Sequence, residues 1–422
     1  MRIGFVSTRI SGSDGVSLEI LKWIAILKSL GHELYCCAGE LDPGLEGAQV
    51  PRMLFQDPQV AELQEEIFKP DGGEKGIRER IDRLKDNIYR DIERFLDEYH
   101  IELIIVENAL SIPMHVPLAL ALAALIEDRR LPTIAHHHDF IWERERFARS
   151  WMRAELDDVF PPDIDSIQHV VINTLARDEL RRRKDIQAEV IPNIFDFTHF
   201  NYGLNRENIG FREAVDVEQT DWLILQPTRI VPRKGIERSI QLVSRMRTQK
   251  YRQPLSGRDV KLVLSHPSGD EGQGYLAGLK KLARADNVPL VYAADKIATV
   301  GGGADVKGKY ELWDAYLNAD FVTYPSLIEG FGNAFLEAVY FRLPLLIRRY
   351  PVFVSDIEPL GFDLLTFDED ISEDTVEQVV AVMADPTRRR RMVEWNFNLA
   401  RENYSYQTFI PEFRQLIEKC MR

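Results

Sequence analysis

Residues 2–38 read RIGFVSTRISGSDGVSLEILKWIAILKSLGHELYCCA, and their periodicities decide the fold class. Arg2–Val6 is a short apolar run that predicts a strand, and Ser7–Gly15 is a polar, glycine-bearing loop. Val16, Ile20, Trp23, Ile24, Leu27 and Leu30 then recur at helical spacing until Gly31 ends the run. Glu33–Ala38 is apolar again. Strand, loop, helix and strand in that order begin a parallel α/β sheet.

The same alternation continues outward from this unit. Residues 74–99 (EKGIRERIDRLKDNIYRDIERFLDEY) place Ile77, Ile81, Leu84, Ile88, Ile92 and Phe95 on one face among acids and bases. That pattern predicts an amphipathic helix with a solvated outer face. Short apolar runs at Ile101–Val106, Thr133–Ala135, Val170–Ile172 and Glu189–Ile191 suit parallel strands covered on both faces. Residues 197–220 lack periodicity and hold Gly203 and Gly210, so the domain link is expected there. A second α/β series starts near Trp222, with LILQPTRI as strand then loop. Strands follow at Lys261–Ser265, Pro289–Tyr292, Phe321–Tyr324 and Leu343–Ile347, with helices over Gly235–Met246, Tyr275–Ala285, Lys309–Asn318 and Asn333–Phe341. Residues 299–308 (TVGGGADVKG) predict a loop. The expected division is 1–195, 196–390 and a helical tail, 391–422, that packs back on the N-terminal domain. The fold class is α/β, as two Rossmann-like parallel-sheet domains facing a central cleft, where ligands tend to bind.

The 422 residues carry 53 Lys and Arg against 67 Asp and Glu, a net charge of −14. That balance points away from a nucleic-acid partner, because such domains are basic. With 45% hydrophobic and 28% charged residues, the chain is neither disordered nor a disulfide scaffold. Cys36, Cys37 and Cys420 predict reduced thiols and a cytoplasmic location. No signal peptide or transmembrane segment is expected. The most apolar stretch, Ile112–Ile126, contains Pro113, His115 and Pro117 and is shorter than the roughly 18 residues a span needs. The sequence does not indicate an oligomeric state.

Two segments carry the chemistry. In Tyr324–Glu337 (YPSLIEGFGNAFLE) a loop acid, Glu329, precedes a helix that begins near Gly332 or Asn333. The glycines admit a close backbone approach, and the free N–H groups of Phe331, Gly332 and Asn333 point toward an anion or a sugar hydroxyl. Glu337, about one turn into the helix, can accept from a ribose diol; two carboxylates suit a ligand rich in O–H donors. The plainer reading is that Asn333 only caps the helix and Glu337 is a surface residue. In Thr228–Gly235 (TRIVPRKG), Arg229 and Lys234 flank a Pro232 turn between a strand and a helix. Two fixed cations there form a diphosphate site and stabilise charge on a leaving nucleotide. A solvated basic loop is the alternative.

Together these residues resemble the retaining glycosyltransferases of the GT-B fold called family 4 (glycosyl transferases group 1). The resemblance rests on Arg229, Lys234, Pro325–Ser326, Glu329–Gly332, the Glu329/Glu337 pair, the lead-in ELWDAYLNADFVTYPS and Ile191–Asn193 (IPN). It implies that Glu329 holds donor-sugar hydroxyls, Glu337 the ribose, and Arg229 and Lys234 the diphosphate. It brings the loop Gly12, Ser13, Asp14, Gly15 to the phosphates or acceptor, with Gly15 on the donor and Asp14 on the acceptor. That loop is G-x-x-G, not the G-x-G-x-x-G dinucleotide fingerprint, so Glu40 after the second strand is not read as an NAD ribose acid.

Residues 135–147 (AHHHDFIWERERF) offer three histidines beside Asp139. Strand alternation sends His136 and His138 to one face and His137 to the other, which arranges the three poorly for one ion, and no metal site is assigned. Family members carry a histidine here near the donor sugar; His138 is the choice and His136 the fallback. Asp139, Trp142 and Arg144, with Arg146, form an acceptor side, or else a surface helix with the interleaved Glu143 and Glu145. The segment is similar to that of members of the sucrose-phosphate-synthase-like and mannosylglucosyl-phosphoglycerate-synthase-like type.

The resemblance implies hexose transfer from a nucleoside diphosphate sugar, GDP-mannose or UDP-glucose, to a hydroxyl of a small sugar or glycerate-type acceptor, phosphorylated or not. No obligatory cofactor is expected, with Mg2+ stimulation left open. Competing readings are inverting transfer with Asp139 or His138 as base, a nucleotide-sugar epimerase, and a non-catalytic nucleotide-sugar-binding protein.

Overall fold

The computed structural model describes residues 1–12, 14–69, 75–198, 203–205, 208–298 and 309–422. Ser13, part of the expected link and the 299–308 stretch lie outside these residues. The chain forms two compact units, Met1–Ile194 with Tyr406–Arg422, and Phe195–Ser405.

The first unit is built on seven strands: β1 (Arg2–Ser7), β2 (Glu33–Ala38), β3 (Gly47–Gln49), β4 (Leu103–Glu107), β5 (Thr133–His137), β6 (Ile167–Val171) and β7 (Ala188–Val190). They lie in the order β3-β2-β1-β4-β5-β6-β7, and every pair is parallel. Strands β1, β4 and β5 are buried along nearly their whole length, as a sheet with helices on both faces requires. On one face, helices Lys75–Tyr99 and Val116–Arg129 bury Ile81, Ile88, Ile92, Leu118, Leu122 and Leu125. The other face carries helix Gly15–Ser29 and the returning C-terminal helix Tyr406–Cys420, where Phe413 meets Trp23 edge-on at 4.6 Å. The proline-bearing apolar stretch read as a buried helix begins at Val116, after His115 caps it with Nδ1 3.1 Å from the Leu118 N–H.

The second unit has six strands: β8 (Trp222–Gln226), β9 (Val260–Leu264), β10 (Leu290–Tyr292), β11 (Phe321–Tyr324), β12 (Leu345–Arg348) and β13 (Leu365–Phe367). Their order is β10-β9-β8-β11-β12-β13, again all parallel. Helix Pro386–Tyr404 belongs to this unit and buries Met392, Val393 and Phe397. The returning segment therefore starts at Tyr406, whereas the sequence reading placed the tail from residue 391.

Both sheets reverse direction of build at their first strand, β1 beside β4 and β8 beside β11. In such sheets the crevice outside the carboxyl ends of these strands is where ligands bind. The segments singled out from sequence leave from those ends: Gly12, Asp14 and Gly15 after β1, Thr228–Gly235 after β8 and Pro325–Gly332 after β11. Among the described residues no helix is long and apolar enough to cross a membrane.

Candidate active site

In the second unit, two loops are locked together by backbone. The Leu327 N–H donates to the Arg233 carbonyl at 2.8 Å. Gly235 has φ +59°, and a Cβ there would lie 2.6 Å from the Pro325 carbonyl oxygen, so the approach requires glycine. This contact brings Lys234 onto Glu329 as an ion pair, although 95 residues separate them in sequence. Their side chains are 9% and 10% exposed, and Arg233 stands 3.7 Å from the other Glu329 oxygen. Burial alone would raise the Glu329 carboxyl; Lys234 and then Arg233 outweigh it and hold the group below its ordinary range. Burial lowers Lys234, and Glu329 offsets this only in part, because Arg233 and Arg229 add like charge. Arg229 is exposed and close enough to be felt by both Lys234 and His266. His266 follows β9 and was not singled out from sequence; burial, then Lys234 and Arg229, push it down to about 4, so it is neutral at pH 7.

Phe331, Gly332 and Asn333 lead into helix Asn333–Tyr340. The cap is Gly332, not Asn333, at φ +133°. A Cβ on Gly332 would meet the Tyr350 hydroxyl at 2.6 Å; that hydroxyl donates to the Phe331 carbonyl. Glu337 is buried, and the fully buried Tyr316 hydroxyl donates to its Oε2. Burial and then Glu337 raise that hydroxyl well above its ordinary value. The surface reading of Glu337 therefore fails, and Tyr316 is a site residue that sequence reasoning missed. Tyr324 links the two carboxylates: both Glu329 and Glu337 act on its hydroxyl, and Lys234 Nζ lies 6.0 Å from its ring centre. Arg229, Lys234, Glu329, Phe331, Gly332, Asn333 and Glu337 thus gather at one end of one sheet.

The first unit gathers a different set. Strand pairing aligns Glu107 with His136. Glu107 Oε2 lies 2.9 Å from His136 Nδ1 and 3.2 Å from His138 Nε2. Burial would raise this carboxyl, but the two histidines outweigh it and hold it at about 2. Burial lowers both imidazoles; His136 stays lowered, whereas Glu107 carries His138 above its ordinary value. Alternation along β5 holds as expected, since His137 faces the other way and its Nε2 is 2.9 Å from His169 Nδ1. The pattern did not reveal Glu107, which supplies a third donor: its ligand atoms and those of His136 and His138 lie within 4.8 Å of one another. Asn108, at φ +58°, accepts from the His138 and Asp139 N–H groups at 3.0 and 3.2 Å and shapes the loop.

The expected acceptor residues are already engaged. Asp139 pairs with Arg144 at 2.9 Å. Asp14 caps helix Gly15–Ser29, accepting from Val16 and Ser17, and pairs with Arg9 at 2.8 Å, while Gly15 is the first residue of that helix. Trp142 stacks on Phe140 at 4.5 Å with Arg183 over its ring, inside a small apolar cluster.

Two doubly wound sheets, one bearing a cation–carboxylate cluster at its switch point, define the class: a glycosyltransferase of the GT-B fold, which uses a nucleotide-sugar donor and an acceptor. Residues 210–396 match the family described as glycosyl transferases group 1, and the chain belongs to that family. It is 33% identical over 382 residues to a mannosylglucosylglycerate synthase of Petrotoga mobilis, covering 87% of this chain and 86% of that one. It is 32% identical to a mannosylglucosylglycerate synthase of Thermotoga maritima, over 96% and 97% of the two chains. The sucrose-phosphate synthase of Thermosynechococcus elongatus has the same fold, with a TM-score of 0.67 at 14% identity over 99% of each chain.

Proposed function

We propose that the chain is a retaining, family 4 hexosyltransferase that moves a mannosyl unit from a nucleoside diphosphate mannose to a hydroxyl of glucosylglycerate. Mannose and glucosylglycerate follow from the name that both curated relatives carry, mannosylglucosylglycerate synthase. GDP-mannose is favoured as the donor over UDP-glucose, because the proposed product gains a mannose. The observation that carries the reading is the buried Lys234–Glu329 pair beside Arg229 and the Phe331–Asn333 turn.

Arg229 and Lys234 hold the diphosphate, and Lys234 divides its charge between the phosphate and Glu329. Glu329 accepts from sugar hydroxyls, and Glu337, oriented by Tyr316, from the ribose. The bond from the anomeric carbon to the diphosphate breaks, and a bond to the acceptor oxygen forms on the same face. The acceptor proton passes to the departing phosphate oxygen. No protein nucleophile is required; fixed cations stabilise the developing charge, and held substrates lower the entropic barrier. Arg229 and Lys234 take the place of an obligatory metal at the diphosphate, so Mg2+ would at most stimulate. His138 approaches the donor sugar, and Asp14, Asp139 and Trp142 serve the acceptor. Arg144 is the cation for a glycerate carboxylate, an anion that competes with Asp139 for the same guanidinium. Such a reaction belongs in the cytoplasm. The test is a matrix of GDP-mannose and UDP-glucose against glucosylglycerate, its phosphorylated form and simple sugars, reading released diphosphate. Release only with GDP-mannose and glucosylglycerate supports the proposal; diphosphate released without acceptor makes the chain a hydrolase instead, and donor converted to another nucleotide sugar with no diphosphate released makes it an epimerase.

A further inference from the structure

We propose that Glu107, His136 and His138 bind one divalent transition-metal ion of the zinc type, at a site separate from the diphosphate-binding cations. Two imidazole nitrogens and one carboxylate oxygen are a ligand set that zinc-type ions accept, leaving a further coordination position open. The three residues come from two neighbouring strand ends, β4 and the β5 exit, so backbone pairing fixes their spacing.

The spacing is close to that of a coordination shell. Metal bonds of about 2.0–2.2 Å keep ligand atoms within about 4.3 Å of one another. Here the ligand atoms of the group all lie within 4.8 Å of one another, and the two contacts of Glu107 Oε2, at 2.9 and 3.2 Å, are hydrogen-bond distances. Opening those two contacts by a few tenths of an ångström, and closing by about half an ångström any spread beyond about 4.3 Å, completes a coordination shell.

Burial makes the arrangement costly without an occupant. The side chains of Glu107 and His136 are 0% and 1% exposed, and that of His138 is 7% exposed. Among the described residues Glu107 Oε1 has no hydrogen-bond partner. A fully buried carboxylate with one unpartnered oxygen leaves polar capacity unsatisfied, which native interiors seldom do. A bound cation answers the carboxylate charge directly. The supporting shell is rigid: His136 stacks on Trp23 with ring centres 4.2 Å apart, and Asn108 fixes the backbone at His138. His138, the least buried member, is the edge through which an ion enters. His137 is excluded by its pairing with His169.

This inference stands on the cluster alone; it takes His138 Nε2 for the ion, so in the transferase reading the donor sugar meets the opposite, Nδ1, edge of that ring. The test uses the full chain, stripped with EDTA and titrated with Zn2+ by calorimetry and with Co2+ by visible absorption, with no sugar or nucleotide present. The expected result is one ion per chain, a Co2+ spectrum of low coordination number, and affinity lowered at least about 100-fold by Glu107→Gln and by His138→Ala. Circular dichroism checks each variant for folding, and His138→Ala decides the matter if Glu107→Gln does not fold. No stoichiometric ion, or an affinity that the folded variants leave unchanged, overturns the proposal and leaves the cluster as a proton-sharing one.

Discussion

Replacing Lys234 with methionine keeps the length of the side chain and removes its charge, so it isolates what the buried pair with Glu329 does. Breaking a buried ion pair by removing one partner costs about 3–5 kcal/mol, because the other charge is left without compensation. Arg233, 3.7 Å from Glu329 and one-third exposed, would take over part of that role. The expected loss is therefore nearer about 2–3 kcal/mol, which lowers the melting temperature of a unit this size by roughly 5–10 °C. The double variant Lys234→Met/Glu329→Gln removes both charges and should recover stability to within about 1 kcal/mol of wild type. Turnover should behave differently. Single and double variants should each lose roughly 100-fold or more, since the cation that meets the leaving diphosphate is gone in both. Calorimetric melting of the three proteins, with diphosphate release under saturating substrates, reads the two effects separately. A double variant with near-normal turnover would show that the pair is only structural, and a Lys234→Met melting temperature equal to wild type would show that the pair is not buried as described.

Gly332→Ala should cost about 1–3 kcal/mol, because the residue sits at φ +133° and the new Cβ meets the Tyr350 hydroxyl; melting and nucleotide affinity should fall together. Tyr316→Phe leaves the Glu337 carboxylate without that hydroxyl donor, and donor KM should rise several-fold while kcat changes less. Lys234 loses its proton below the ordinary 10.5, so affinity for a nucleoside diphosphate, measured by calorimetry, should begin to fall at a lower alkaline pH than an exposed lysine would give. In the interval between the folded value and 10.5 the unfolded chain binds more protons, so the depressed lysine costs stability at neutral pH and that cost fades as pH rises. Glu329 has the opposite consequence. Its folded value lies below 4.5, so its contribution is present above that pH and is lost as acid titrates the folded group.

Much of this was legible in the residues. Short apolar runs located β1, β2 and β11, and a 3.6-residue period located helices such as Lys75–Tyr99, because buried parallel strands and amphipathic helices write their environment into composition. The short edge strands β3 and β13 carry little such pattern and were not read. Lys234 and Glu329 were readable because each stands in a local loop signature with its own glycine. Glu107 and Tyr316 were not, because each acquires meaning only through a partner far away in sequence: Glu107 through the register of β4 on β5, and Tyr316 through Glu337 on another helix. Asp14 and Trp142 show the converse. A cap and an aromatic stack satisfy them locally, which no spacing rule distinguishes from a binding role.

The most direct measurement is the anomeric configuration of the product formed from GDP-mannose and glucosylglycerate, determined by NMR. The account predicts an α-mannosyl linkage on glucosylglycerate, matching the α-configuration of the donor, with one nucleoside diphosphate released per linkage. A β-linked product would contradict same-face transfer, and absence of any transfer to a hydroxyl acceptor would contradict the reading of the Lys234–Glu329 site itself.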